Sequence, residues 1–316
     1  MTAARNETWA LLGGFALLAL LPLVATNFYV TLASSALVAA MLALSLNLMV
    51  GSLGLVSLGH AAFFGAAAYT VYYLVPSGGS LSFLVTLPAA ILVASLASLV
   101  IGAISLRTKG FFFLMVTLAF GQMVFFLFHD TKLGGGGDGV FFTRPGFSAF
   151  GWEIRLDRRA RGVATYYLNL LLLAAMFFGL RALLQTLFGR VVAGIRANEH
   201  RMRALGYDVY RYKLACFVLS GALAGIAGHM WAMQKGVVNP ELASWHNSAE
   251  ALLMILLGGL RSLHGPILGA IAYTGIGEIA DLLTERRKLV EGLIILAAVL
   301  LLPQGIAGIR LKRGDG

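Results

Sequence analysis

The chain has a single cysteine, Cys216, in 316 residues. That excludes an internal disulfide and any zinc or iron–sulfur centre assembled from several cysteines of one chain. Cys216 reads as a small packed apolar residue. Charge is scarce as well. Asp, Glu, Lys and Arg together make up 12% of the residues and apolar residues 59%, whereas soluble domains carry roughly 25% charged residues. No single soluble core could hide that much apolar surface, but a bilayer acting as solvent removes the problem. The six histidines (60, 129, 200, 229, 246 and 264) show neither HxxxH nor HExxH spacing. A membrane metalloenzyme therefore has no ligand set to work with. The run Gly-x-x-x-x-Gly-Lys-Ser/Thr is also absent, so the chain cannot hold ATP in a Walker A loop. We expect no catalytic centre, no metal and no cofactor.

What the chain does have is a series of apolar runs. About 20 apolar residues cross roughly 30 Å of hydrocarbon. The runs predict an all-α integral membrane protein of about ten transmembrane or partly spanning helices, at 9–25, 28–50, 54–75, 83–105, 110–128, 166–187, 214–234, 248–260, 263–281 and 289–308. The first has the outline of a secretion signal behind Arg5, but its apolar stretch is long and no A-x-A site follows, so it reads as a retained helix. Gly258-Gly259 and Gly265-Pro266 divide the region 248–281 into two helices, and 248–260 is too short to cross fully. The chain reads as one transmembrane domain, 1–316, with an outer loop at 130–165 and an inner segment at 188–213.

The net charge of +10 is explained by basic residues collected in cytoplasmic connections, and no nucleic-acid partner is expected. Segment 188–213 holds Arg190, Arg196, Arg201, Arg203, Arg211 and Lys213 against Glu199 and Asp208. Arg107 and Lys109 form a basic turn, and Arg310, Lys312 and Arg313 a basic tail. Ten helices with both termini inside place all three in the cytoplasm. Yet Lys132, Arg144, Arg155, Arg158, Arg159 and Arg161 then fall outside, as do Arg286, Arg287 and Lys288. A single crossing by 248–281 would bring that triplet inside and push the tail out, so charge alone leaves both arrangements open.

Several constellations could carry function. Ser220, Ala224 and Gly228, with Gly221 and Gly225, give helix 214–234 small residues four apart, which lets helix backbones approach closely. His60, behind glycines 51, 54 and 59, is costly at membrane depth unless it faces protein or water; it either lines a path or packs between helices. Gly134–Gly137 followed by Asp138-Gly139 forms a flexible turn or a docking surface. In 190–213, Val191, Ile195, Met202 and Leu205 share one helical face, away from Arg196, His200 and Arg203. Gly206 sits where a left-handed cap would end that helix. Such a helix could lie on lipid headgroups or insert into a groove of a soluble subunit. Glu250, Glu278 and Asp281, with Gln122 and Asn47, could form a proton relay, although Glu278 and Asp281 also fit a solvated helix end. Ala68-Tyr69-Thr70 and Ala272-Tyr273-Thr274 form a faint internal echo of the kind two inverted halves leave.

Taken together, several runs resemble the permeases of branched-chain amino-acid ABC importers, specifically the LivM type. These are Gly54-Leu55-Val56-Ser57-Leu58-Gly59-His60-Ala61-Ala62-Phe63-Phe64-Gly65, Lys109–Phe113 into Thr117–Gly121, Gly135–Gly139, Gly194–Glu199 with Ala204–Tyr207, Phe217–Ser220 with Ala224–Gly228, Leu257–Leu260 with Gly265–Gly269, and Leu302–Gly308. Gln304 and Arg261 depart from the usual pattern, which often has Arg and Gly there. The resemblance implies an ABC importer permease fold in a bacterial inner membrane. It also implies a heterodimer with a second related permease, two cytoplasmic ATP-binding subunits and a periplasmic substrate-binding protein. It places the coupling helix in 190–213, with Arg196, Glu199, Ala204 and Gly206 as coupling residues. His60, Tyr69, Thr117 and Gln122 are candidates for the translocation path, and Gly135, Asp138 and Gly139 for a periplasmic docking turn. A urea or sugar permease of the same superfamily, and an ion-coupled carrier working alone, are the alternatives.

Overall fold

The computed structural model describes residues 2–75, 83–142, 147–149, 152–154, 157–260, 262–283, 289–290, 292–294, 296–297 and 305–308. The expectations for Arg144, Arg155, Arg261, Arg286–Lys288, Gln304 and the basic tail, and most of helix 289–308, lie outside those residues.

Apolar runs become helices because only a helix satisfies every backbone polar group within one segment in lipid. The described helices are α1 (Thr2–Val24), α2 (Asn27–Asn47), α3 (Ala61–Leu74), α4 (Phe83–Ser105), α5 (Phe111–His129), α6 (Arg158–Gln185), α7 (Leu187–Ala197), α8 (Glu199–Ala204), α9 (Val209–Lys235), α10 (Trp245–Gly258) and α11 (Gly265–Leu283). Among the described residues, five helices are long and apolar enough to cross a membrane: 27–53, 83–105, 111–129, 159–185 and 209–235. Short strands β1 (Val140–Phe141), β2 (Phe147–Ala149), β3 (Trp152–Ile154) and β4 (Val237–Val238) pair β1 with β4 and β2 with β3, both antiparallel.

The centre of the bundle is α2. Some 83% of its apolar window is buried, against 17% for α5, whose Phe112, Met123 and Phe126 are exposed. Helix α9 packs on α3 and α4, and α2 packs on α6, α10 and α11. The small residues of α9 allow this. A Cβ added at Gly221 would lie 2.4 Å from Ser98 Cβ, and one at Gly225 2.7 Å from Ala94 Cβ, both on α4. At Gly228 it would lie 2.1 Å from the carbonyl oxygen of Phe64 on α3. The close approach expected from the four-residue spacing is therefore realised. On the periphery, α1 is held to α6 by Tyr166 and Tyr167, whose hydroxyls donate to the carbonyls of Leu18 (2.7 Å) and Ala19 (3.1 Å).

One expected helix is corrected. The apolar run 54–75 does not form a helix throughout, because α3 starts only at Ala61. Helix α2 runs into a π-helical turn, Leu48–Leu53, which ends at Gly54 in a left-handed conformation (φ 77°). Residues 55–59 then lie outside any helix. The cause is steric: a Cβ at Gly59 would sit 2.0 Å from the carbonyl oxygen of Thr117, so the chain passes α5 backbone to backbone. Other ends shift by a turn or two. Helix α6 begins at Arg158, not 166, and α9 at Val209, not 214. Helix α10 spans only 14 residues, about 21 Å at 1.5 Å per residue, too short to cross alone.

Candidate coupling and translocation site

Functional side chains collect in three places: the α7–α8 hairpin at one end of the bundle, the glycine turn at the other, and a polar junction between them.

The hairpin begins where Thr186 interrupts α6 in an extended conformation. Asn198, also extended, separates α7 from α8, and its side chain accepts the N–H of Arg201 (2.9 Å). Val191, Ile195 and Met202 are buried as the periodicity requires. Leu205 is a correction: it is 66% exposed, because the chain turns at Asn198 and one helical face does not continue through both helices. Gly206, at φ 86°, closes α8. Its N–H donates to the carbonyl of Arg203 (3.0 Å) and that of Tyr207 to Met202 (3.2 Å), the Schellman arrangement that a left-handed glycine permits.

Two of the expected coupling residues tie this hairpin to the bundle. The Arg196 guanidinium donates to the carbonyl of Gly51 in the π-helical turn and lies over Gly54. Glu199 accepts from Arg203, one turn on, and from Lys213 Nζ in α9 at 2.7 Å. Burial alone would raise the Glu199 pKa. The hydrogen bond from Lys213 and the charges of Lys213, Arg203 and Lys109 outweigh it and hold the carboxyl below its ordinary value. Ala204 and Gly206 are exposed on the outer side of the hairpin. Tyr210 adds a further tie, donating to the carbonyl of Ala103 at the end of α4 (2.9 Å).

The junction lies where α3 begins. The ring Nε2 of His60 is 2.8 Å from the hydroxyl of Ser45 on α2, and the Ser220 hydroxyl of α9 donates to the Ser45 carbonyl (2.6 Å). The Ser248 hydroxyl of α10 accepts the N–H of Ala61 (2.8 Å), satisfying a donor at the first turn of α3. His60 is 1% exposed and packs edge-on against Phe63. Four helices thus meet on one set of polar side chains. Sequence reasoning missed Ser45 and Ser248, since an isolated serine in an apolar run carries no signal of its own.

At the opposite end the Tyr69 hydroxyl donates to the carbonyl of Gly134 (3.1 Å) while its ring stacks on Phe128 at 4.0 Å. Gly135, Gly136 and Gly139 take positive φ. Pairing of Val140 with Val238 closes the turn onto the chain leaving α9. Asp138 is exposed. Tyr69 and Thr117 are 1% exposed, and Gln122 is half-buried on α5. His60, Tyr69 and Thr117 are all brought into the interior, the first at the start of α3, the second within α3 and the third on α5. Glu278 and Asp281 occupy the last turns of α11, where Asp281 is exposed.

Two cavities are lined by described residues. One of about 770 Å³ opens between α2, α6 and α9 at the glycine-turn end, by Ser34, Arg159, Arg161 and Gln234. A smaller one of about 260 Å³ lies between α2, α9 and α10.

A buried, interrupted central helix, a half-length helix meeting it inside the bundle, and a cationic hairpin tied to the interruption define an all-helical membrane permease. The chain belongs to the branched-chain amino acid ABC transport family and is a permease of the LivM type. Residues 28–299 match the family described as branched-chain amino acid transport system, permease component. The high-affinity branched-chain amino acid permease proteins LivM of Salmonella typhimurium and of Escherichia coli are each 31% identical over 304 residues, covering 90% of this chain and 71% of theirs. The xylose permease protein XylH of Escherichia coli is 34% identical over 149 residues, covering 44% of this chain and 37% of its own. No solved structure matches.

Proposed function

We propose that this chain forms half of the translocation pore of an ATP-driven importer for branched-chain or related amino acids, in a bacterial inner membrane. A second related permease completes the pore. Two cytoplasmic ATP-binding subunits drive it, and a periplasmic binding protein delivers the substrate to the glycine-turn end. The observation that carries this reading is the tie from Arg196 to Gly51. It joins the exposed hairpin to the interruption in the buried central helix, so a push on α7–α8 is delivered to the one place where that helix is already broken. Arg196 and Glu199 transmit the push, Ala204 and Gly206 offer the surface that receives it, and Asp138 with its flanking glycines meets the binding protein. His60, Tyr69 and Thr117 serve the path by holding α3 in position, and Gln122 borders it.

Orientation follows from the grouping of charge. The hairpin and the Arg107–Lys109 turn share one end, close enough for Lys109 to act on Glu199. That end faces the cytoplasm by the positive-inside rule, which puts the N-terminus of α1 there too. Two inverted halves are supported by a matching order of elements: α2, a break of extended chain, the 14-residue α3 and α4, against α9, a break of extended chain and one 3₁₀ turn, the 14-residue α10 and α11. The halves exchange partners, α9 packing on α3 and α4, and α2 on α10 and α11. This correspondence pairs α3 with α10 and does not draw on the Ala-Tyr-Thr echo between α3 and α11.

The test is uptake by proteoliposomes holding both permeases, the ATPases and the binding protein. Leucine uptake that needs ATP and survives an uncoupler supports the reading. Uptake of xylose in place of leucine would establish a sugar permease, and uptake that ignores ATP but collapses with an uncoupler a stand-alone carrier.

A further inference from the structure

The smaller cavity combines features that a packing defect would not. After α9 the chain does not continue outward. It leaves Gly236, pairs briefly as β4, and turns back through Pro240–Ala243 into the bundle, where Ala243 lies against Gly65 of α3. Helix α10 then starts inside the protein and runs toward the π-helical turn, where Leu260 approaches Gly51. Non-helical backbone at membrane depth persists only where it is enclosed by protein or lines a watery cavity. Here Asn239 and the single 3₁₀ turn Pro240–Ala243 border a cavity. The cavity of about 260 Å³ is lined by Asn239, Glu241 and Leu242 of the returning segment, with Asn247, Glu250 and Met254 of α10. Its far wall is Val38 and Leu42, which flank the midpoint of the 27–53 span, closed above by Trp231.

The lining has a definite chemistry. It contains two carboxylates, Glu241 and Glu250, and neither lysine nor arginine. Glu241 is exposed, and the Asn247 side chain donates to its backbone carbonyl (2.8 Å), which fixes the turn that presents it. Ionisable groups within the membrane are costly and mark solute paths. The other wall is aliphatic. The volume lies below the roughly 300–1,000 Å³ of pockets that take drug-sized ligands, and suits one small molecule.

Resting on the importer reading above, we infer that this cavity is the substrate's station midway through the membrane. It takes a small aliphatic primary amine-bearing solute, the ammonium group held at Glu241 and Glu250 and the branched side chain against Val38, Leu42 and Met254. The site favours a neutral aliphatic amino acid over a sugar, which gains nothing from the aliphatic wall, and over an acidic amino acid, whose side-chain carboxylate adds a second negative charge against Glu241 and Glu250.

The experiment uses the full complex in proteoliposomes with saturating binding protein, reading leucine moved per ATP hydrolysed. Glu241→Gln and Glu250→Gln should each lower that ratio by about tenfold, the size expected for losing one charge-assisted hydrogen bond, and Glu241→Asp should recover part of it. In a second arm Glu241→Cys, in a Cys216→Ala background, should react with a charged, membrane-impermeant thiol reagent, and leucine turnover should slow the reaction. An unchanged ratio in both Gln variants overturns the inference, and so does absence of labelling. If a Gln variant fails to assemble, the labelling arm decides. If the unaltered complex moves no leucine, the importer reading fails, while labelling still reports whether the cavity is open to water.

Discussion

Arg196 reaches across 145 residues of sequence to the backbone carbonyl of Gly51. It binds the last turn of α7 to the π-helical turn that ends the central helix. π-Helical turns are rare and gather at functional sites. This one also leaves Asn47 Oδ1 buried without a hydrogen-bond partner among the described residues. The central helix is thus interrupted beside a buried unpartnered side-chain oxygen and where the external hairpin takes hold.

Arg196→Ala should therefore uncouple. Removing the guanidinium leaves α7 and α8 folded, because their core of Val191, Ile195 and Met202 is untouched. The variant should assemble with the ATPases and hydrolyse ATP while leucine uptake falls by about tenfold, the effect of losing one charged hydrogen bond. Arg196→Lys, a point charge without the planar fork, should recover only part. Parallel assays of hydrolysis and uptake check this.

Glu199 gives a pH dependence. Its carboxyl is held below the ordinary value of 4.5 by Lys213, Arg203 and Lys109. A depressed carboxylate pKa stabilises the fold at pH values above the unfolded-state pKa, and the contribution is lost as pH falls through the folded value. The clip between α8 and α9 should hold from neutral pH down to about 4.5 and loosen only below that. Hydrogen exchange at amides 199–206 should show this acid loss. In Glu199→Gln the protection, taken relative to the intrinsic exchange rate at each pH, should be lower at neutral pH and should no longer fall with acid.

Much of the fold was legible because apolar length is a strong signal. The centres of α2, α4, α5, α9 and α11 follow from it, and so does the small-residue face of α9. The break at 54–60 was not, because glycines inside an apolar run look the same whether they pack within a helix or let two backbones touch, and Thr117 lies 58 positions away from Gly59. Leu205 was misplaced because a helical period was carried across Asn198, where the backbone turns. Glu199 and Gly206 were legible as a charge and a cap. The pairing of Glu199 with Lys213 was not, since it needs the left-handed turn at Gly206 to fold α9 back beside α8.

Gly59→Ala tests that break directly. The added methyl would lie 2.0 Å from the Thr117 carbonyl oxygen, a backbone atom that cannot swing aside as a side chain would. Overpacking of this kind costs about 1–3 kcal/mol or more, so the detergent-solubilised protein should melt several degrees lower. Gly206→Ala meets no neighbour within 4 Å and has only its φ of 86° to contend with. Its cost should be about 1–2 kcal/mol, that of a left-handed residue carrying a Cβ. Thermal unfolding of the two variants should rank Gly59→Ala as the more damaging.

His60 discriminates between a wall of the path and a pin between helices. Its ring meets Ser45 on α2 and Phe63 of α3, and it is 1% exposed, which supports the pin. Ser45→Ala leaves the ring nitrogen buried without its partner, a loss of about 1–3 kcal/mol, and should lower the melting temperature without changing leucine moved per ATP. His60→Cys, with Cys216 replaced by alanine, should stay unreactive to a charged thiol reagent in the resting complex, in contrast to Glu241→Cys. Labelling of His60→Cys that leucine slows would make this residue part of the path wall and shift the solute's route from the α10 side of α3 to its first turn.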